Sequence, residues 1–126
     1  MPRPAELAAR AEEVVPGVRL VAATVPYESM DALKAASKEV RVALGSGVIA
    51  MFLDAEAPQV WVTVSDDLVD RGLSAGDLVK VAVGPLEGRG GGRPQMAQGA
   101  GTRRDGLAEA QAAVRSSITE RLAAGG

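Results

Sequence analysis

The chain has 126 residues, of which 47% are hydrophobic, a formal charge of −2, and neither cysteine nor histidine. That composition excludes a Cys/His zinc site, a thiol nucleophile and any histidine-dependent triad. With no apolar run near the ~20 residues of a membrane span and no signal-peptide pattern at the start, it points to one soluble, cytoplasmic domain without resident metal or cofactor.

Pro4 suits a first helical turn, and Leu7, Ala11 and Val14 share one face at helical spacing, so the chain is expected to open as a short helix over 4–15. Pro16-Gly17 breaks it. The run VRLVAATV (18–25) reads as a buried strand closed by Pro26. Residues 29–44 give the clearest helix. Ser29 is placed to cap it, Asp31 favours its first turn, and Met30, Leu33, Val40 and Leu44 form its apolar stripe, with Gly45 as the stop. The apolar run within 47–55 suits a central strand. A short turn leads to 59–65, where Val60, Val62 and Val64 alternate with Trp61 and Thr63. The short connection predicts an antiparallel hairpin.

Ser65-Asp66-Asp67 starts a short helix that stops at Gly72, and Ser74 to Asp77 resembles a capping box opening a helix toward Val83. A similar box at Thr102 to Asp105 opens a last helix with the stripe Leu107, Val114, Ile118 and Leu122. Residues 123–126 are expected to fray. The order predicts a mixed α/β layer fold: a small sheet of about four to five strands flanked by helices. The expected organisation is an N-terminal helical segment (1–17), a globular domain (18–122) and a frayed tail (123–126).

Charge is unevenly distributed. Asp54 to Asp77 holds six acids and one base, a local charge of −5; Leu86 to Arg104 holds four bases and one acid, a local charge of +3. The positive charge surrounds GRGGGRPQMAQGAG (88–101), and arginine alone supplies it. Ordering so much glycine is costly. Gln95, Met96, Ala97 and Gln98 read as a short strand rather than linker, which would leave the preceding glycines as a turn with exposed amides suited to an anion. The helix start at Thr102 also favours anions. Both a phosphate or RNA contact and a ligand-free structural turn fit these features. No P-loop or dinucleotide fingerprint is complete. Catalysis has no support: Ser46 has no base partner, and Asp66, Asp67 and Asp70 read as charges at a helix start. Aromatic platforms for base stacking are few, since Tyr27, Phe52 and Trp61 are the chain's aromatics.

Three stretches, LGSGVIAMFLD (44–54), VSDDLVDRGLSAGDLVKVAV (64–83) and GRGGGRPQMAQGAG (88–101), resemble in order and spacing the C-terminal domain of alanyl-tRNA synthetase. This is the DHHA1 module, shared with DHH-family phosphoesterases. The third stretch is the most specific: a glycine run, Arg93-Pro94, then Met96-Ala97-Gln98 and further glycines. Gln95, Arg89 within the glycine run, and GPLE (84–87) depart from the usual pattern. The resemblance implies a non-catalytic, tRNA-binding accessory module that contacts the tRNA elbow and supports aminoacylation and editing. Its partners would be alanine tRNA and the rest of a synthetase, with homodimerisation left open. Phosphates would be contacted by Arg89, Arg93, Arg103 and Arg104. The backbone at Gly90, Gly91 and Gly92 would allow close approach, and Gln95 and Gln98 would bond ribose or base edges. Lys34, Lys38 and Arg41 form a secondary basic patch that an ordinary solvated helix face also explains. The alternatives are a dimerisation or interdomain module, which would expose Phe52 or Trp61, and the substrate-binding part of a DHH-type phosphoesterase.

Overall fold

A computed structural model describes residues 4–25 and 29–124; Pro26 and Tyr27 lie outside the described residues. Chain order runs α1 (Pro4–Ala9), β1 (Glu12–Val15), β2 (Val18–Val25), α2 (Met30–Leu44), β3 (Val48–Leu53) and β4 (Gln59–Val64). It continues with α3 (Asp66–Asp70), α4 (Ala75–Val83), β5 (Arg89–Gly92), β6 (Met96–Ala100), a 3-10 turn (Arg104–Gly106) and α5 (Leu107–Ala124). The strands form one mixed sheet in the order β1-β2-β3-β4-β6-β5. β2 and β3 are parallel, joined through α2, and the other neighbours are antiparallel.

β3 is the axis. All six of its residues are buried, because helices cover both sheet faces there, which is why it reads as an unbroken apolar run. On one face Val18, Leu20, Val48, Phe52, Val60 and Val62 pack beneath α3, α4 and α5. On the other, Val21, Val25, Ile49, Met51 and Leu53 pack against α1 and α2. The expected hairpin of β3 and β4 is present, with Met51 opposite Trp61. α2 starts at Ser29, whose Oγ accepts from the Ala32 amide at 3.2 Å, and stops at Gly45, where φ is 80°. Arg19 closes its other end by donating to the Leu44 carbonyl at 2.6 Å. The α5 stripe is buried as expected, at Leu107, Val114, Ile118 and Leu122.

Three local expectations differ. The opening helix ends at Ala9, and 12–15 form β1, which turns through Pro16-Gly17 to pair with β2. The reason lies in the core. Leu7 and Ala11 pack into the α2-side cluster, while Val14 and Val15 pack against the α5-side cluster across the sheet. One helix face cannot reach both. Arg115 fixes β1 beneath α5 with a 2.9 Å bond to Glu12.

The glycines form a strand, not a turn. Arg89–Gly92 is β5, paired with β6, which raises the strand count to six. The turn of this hairpin falls at Arg93, Pro94 and Gln95. Its carbonyls fill roles expected of side chains: Pro94 accepts from the Ala75 amide at 2.8 Å and Arg93 from the Gly76 amide at 3.2 Å. These bonds satisfy the start of α4, where Ser74 makes no side-chain cap. Likewise the Thr102 hydroxyl bonds the Glu87 carbonyl at 3.3 Å rather than capping the last helix, which begins through the 3-10 turn.

The hairpin needs glycine because α4 lies directly on it. A Cβ on Gly90 would stand 2.5 Å from Val79 Cγ1, and one on Gly99, its cross-strand partner, 2.7 Å from Val83 Cγ1. Gly91 lies in the same strand with nothing nearer than the Lys80 side chain at 3.8 Å. Overpacking costs about 1–3 kcal/mol. Gly90→Ala and Gly99→Ala should therefore lower Tm by about 5 °C or more, while Gly91→Ala leaves it nearly unchanged. Thermal unfolding of the three variants checks this, and equal losses would refute the packing account.

Candidate nucleic-acid interface

Strand register sorts the residues of the hairpin by face. Gly99 and Ala97 pair with Val60 and Val62 and turn toward α4. Met96, Gln98 and Ala100 pair with Thr63, Trp61 and Gln59 and turn to the opposite face. Arg89 sits across from Ala100 and joins that second face. α2 covers the sheet only as far as β4, so the face of β6 and β5 beyond it is open. At this margin Lys34, Ser37, Lys38 and Arg41 of α2 meet Trp61, Thr63 and Met96 around a cleft of about 270 Å³.

The chemistry of the cleft is concentrated. Trp61 is half-buried, and Lys34 Nζ lies 4.9 Å from its ring centroid. Such a cation–π contact is worth about 0.5–1 kcal/mol at an exposed site. Lys38 and Arg41 follow one and two turns along the same helix. Beneath them Ser37 is 1% exposed, and its hydroxyl has no hydrogen-bond partner among the described residues. A buried hydroxyl in that state costs about 1–3 kcal/mol, so it needs an explanation. Met96, 41% exposed, supplies an apolar edge. Phe52, in contrast, is fully buried.

The residues expected from the sequence fall into three places. Gln98 pairs with Trp61 in register and lies beside the cleft, with Arg89 further along the same face. Arg93 and Gln95 are exposed at the hairpin turn, at the other end of β6 from Arg103 and Arg104. The five residues of β6 hold these ends about 14 Å apart. Arg103 and Arg104 are in ion pairs. Arg103 bonds Asp105 at 3.0 Å, and Arg104 bonds Asp54 at the end of β3. Each pairing raises the guanidinium pKa, first through the hydrogen bond and then through the carboxylate's charge. Both pairs are solvent-exposed, so exchanging the carboxylate for a phosphate costs little.

By the alternation of an antiparallel ladder, the 2.9 Å bond from the Arg93 amide to the Met96 carbonyl places Gly91 and Arg89 in the bonded set. Gly90 and Gly92 therefore direct their amides to the free edge of β5.

The sequence alone does not mark Trp61 and Ser37 as binding residues. The alternation at 59–65 puts Trp61 on the face opposite three valines, and Ser37 falls within the stripe of Leu33, Val40 and Leu44. A polar residue on that stripe was the available signal.

A second polar cluster is structural. Ser46 donates to Asp67, and the Ser65 hydroxyl accepts from the Gly47 amide at 3.0 Å, tying the start of β3 to the start of α3. The Ser46 bond, and then a bond from Ser65, hold the Asp67 carboxyl below its ordinary value. Among the described residues no group of three or more acidic side chains is placed to hold a metal ion, and no helix is long and apolar enough to cross a membrane.

Residues 17–120 match the DHHA1 domain family. The chain is 42% identical over 125 residues to the alanine–tRNA ligase of Saccharopolyspora erythraea, covering 95% of this chain and 14% of that enzyme. It is 40% identical to the Bacillus subtilis alanine–tRNA ligase over 79% of this chain and 12% of that enzyme. The chain thus spans about a seventh or less of the length of these relatives. In fold it is similar to the crystal structure of the C-Ala domain from Aquifex aeolicus alanyl-tRNA synthetase. The TM-score is 0.78 at 21% identity, covering 87% of this chain and 98% of that one. A DHH-domain structure, from the s1p family of ribosomal proteins, shares the fold at a TM-score of 0.59 and 15% identity, over 90% of this chain and 29% of that one.

The Asp67 cluster yields a pH prediction. A carboxylate whose pKa is lowered on folding stabilises fully above its unfolded value of about 4, and that stability is lost as pH falls through the folded value. Tm should therefore drop below pH 4, and Asp67→Asn should flatten that part of the profile. Identical acid limbs for parent and variant would sink the assignment.

Proposed function

The chain belongs to the DHHA1 domain family, and from that premise we propose that it is a tRNA-binding accessory module, without catalysis of its own, of the kind carried by alanyl-tRNA synthetases. It works in the cytoplasm with the rest of a synthetase. It holds alanine tRNA at its elbow and so supports charging and the clearance of mischarged tRNA.

The observation that carries the reading is the open sheet face beside α2. There Arg89 and Gln98 from the glycine hairpin lie on the same side as Lys34, Lys38 and Arg41, which line the cleft beside the chain's one tryptophan. A chain of net charge −2 has no general attraction for RNA. A local cationic face supplies one through phosphate contacts and counterion release. Arg93 at the hairpin turn and Arg103 and Arg104 at its far end extend the cationic surface along the hairpin, so a backbone lying along β6 would meet phosphate partners at both ends. Gln95 and Gln98 are the candidates for ribose or base edges. At Gly90 and Gly92 the amides on the free edge of β5 are the backbone groups an incoming phosphate can reach; Gly91 contributes its lack of a side chain.

Binding to an unmodified alanine tRNA across a salt series tests this, with a tRNA lacking its folded elbow and a duplex DNA as controls. Tight binding that weakens with salt and is lost without the elbow is expected. Each of Arg89→Ala and Arg93→Ala should reduce the slope of log affinity against log salt by about 1. Equal affinity for DNA, or variants indistinguishable from the parent at low salt, would overturn the reading.

A further inference from the structure

We propose that the cleft between α2 and the open face of β4 and β6 seats one unpaired nucleobase of the bound RNA, stacked on Trp61, with its edge bonded by the Ser37 hydroxyl. This rests on the RNA-binding reading above and adds a base subsite to it.

Four observations converge. First, Trp61 is half-buried, so its ring is held by packing while part of it stays accessible, which is the condition for a stacking platform. Second, Ser37 lies 1% exposed in the lining of the cleft with an unpartnered hydroxyl. Protein groups leave it unsatisfied, and once the side chains over it part, as Lys34 must to free the indole, a base edge offers both donors and acceptors to satisfy it. Third, a volume of about 270 Å³ falls just below the range of drug-sized ligand pockets, which run roughly 300–1,000 Å³. It suits one base better than a dinucleotide. Fourth, Lys34, Lys38 and Arg41 stand in a row on successive turns of α2, about 10 Å from first to last. They are placed along the rim, where the phosphates flanking a seated base would run. Met96 closes the apolar side.

The Lys34 contact is the resident occupant. Its ammonium covers the indole at 4.9 Å in the free protein. An entering base takes its place on the ring, and the released ammonium remains within reach of that nucleotide's phosphate. Stacking and charge neutralisation are thereby coupled in one step.

Trp61 is the chain's one tryptophan, so its emission reports on this site alone. The intact chain is titrated with unmodified alanine tRNA, followed by anisotropy of the labelled tRNA, and separately with single-stranded octauridylate; Trp61 emission is read in both. Quenching on binding is expected. Trp61→Ala should weaken binding about tenfold and Trp61→Phe much less, because a smaller ring still stacks. Ser37→Ala should weaken binding about fivefold while leaving Tm unchanged or higher, since it removes an unpaired buried hydroxyl. That combination separates a ligand role from a structural one and does not depend on how well Trp61→Ala folds. If tRNA binds with no change in emission, or if Ser37→Ala and Trp61→Ala both bind like the parent, the base seat is wrong and the tRNA-binding reading stands. Octauridylate quenching without tRNA binding would retain the seat and remove the tRNA reading. Failure of both RNAs to bind would remove both.

Discussion

The contact on which the rest of the structure depends is α4 lying flat on the hairpin of β5 and β6. Val79 and Val83 press into the sheet where Gly90 and Gly99 face each other across the strands. A side chain at either glycine would lift the helix, because a packed interior cannot absorb a methyl group for free. The same contact is closed at its end by hydrogen bonds. The Arg93 and Pro94 carbonyls take the first α4 amides, so the hairpin tip and the helix start satisfy one another. Gly76 completes the fit, since a Cβ there would stand 2.9 Å from the Gly92 carbonyl oxygen. Packing between α4 and the hairpin thus explains Gly76, Gly90 and Gly99, and the opposite face is the one left open for the proposed contact.

That division follows from an imbalance between the two helix layers. On the α4 and α5 side, helices reach across the sheet to the hairpin, and α5 is tied to α4 by the Arg121–Asp77 pair at 3.2 Å. On the opposite side α2 stops over β4. The candidate interface is the edge of that incomplete layer. Its residues arrive by two routes: Lys34, Ser37, Lys38 and Arg41 from helical spacing, and Trp61, Thr63, Met96 and Gln98 from the two-residue period of neighbouring strands. No single stretch of sequence contains the site, although every element that builds it is short and regular.

Much of this was legible in the sequence. Ser29 and Gly45 bound α2, the apolar run of β3 marks the centre of the sheet, and the alternating valines of β4 fix which way Trp61 faces. The motif from Arg93 to Gln98 carried the family resemblance. What was not legible involved partners distant in sequence. Glu12 to Val15 join the sheet because Val14 and Val15 find the α5-side core, while local spacing alone favours a helix. The glycines at 90–92 look like a turn until α4 is seen lying on them, since a strand without side chains has no alternation to read. Ser37 sits on an apolar stripe and is invisible to a search for apolar residues. Its importance appears only when its hydroxyl is found buried and unpaired.

In the proposed interface, Ser37 also separates the two energies that RNA binding would combine. Phosphate contacts from scattered arginines give affinity that salt removes and that any RNA can share. They do not require burial, which is consistent with the exposed positions of Arg89, Arg93, Arg103 and Arg104. A base contact needs a defined, partly desolvated seat, and in the seat proposed above the buried Ser37 hydroxyl is the polar group without a partner among the described residues. Alanine would fill the position on α2 with better helix propensity and no unpaired polar atom. A protein selected for stability alone would gain by that replacement. A serine there, with a tryptophan and three cations around it, is accounted for when a ligand supplies the missing hydrogen bond.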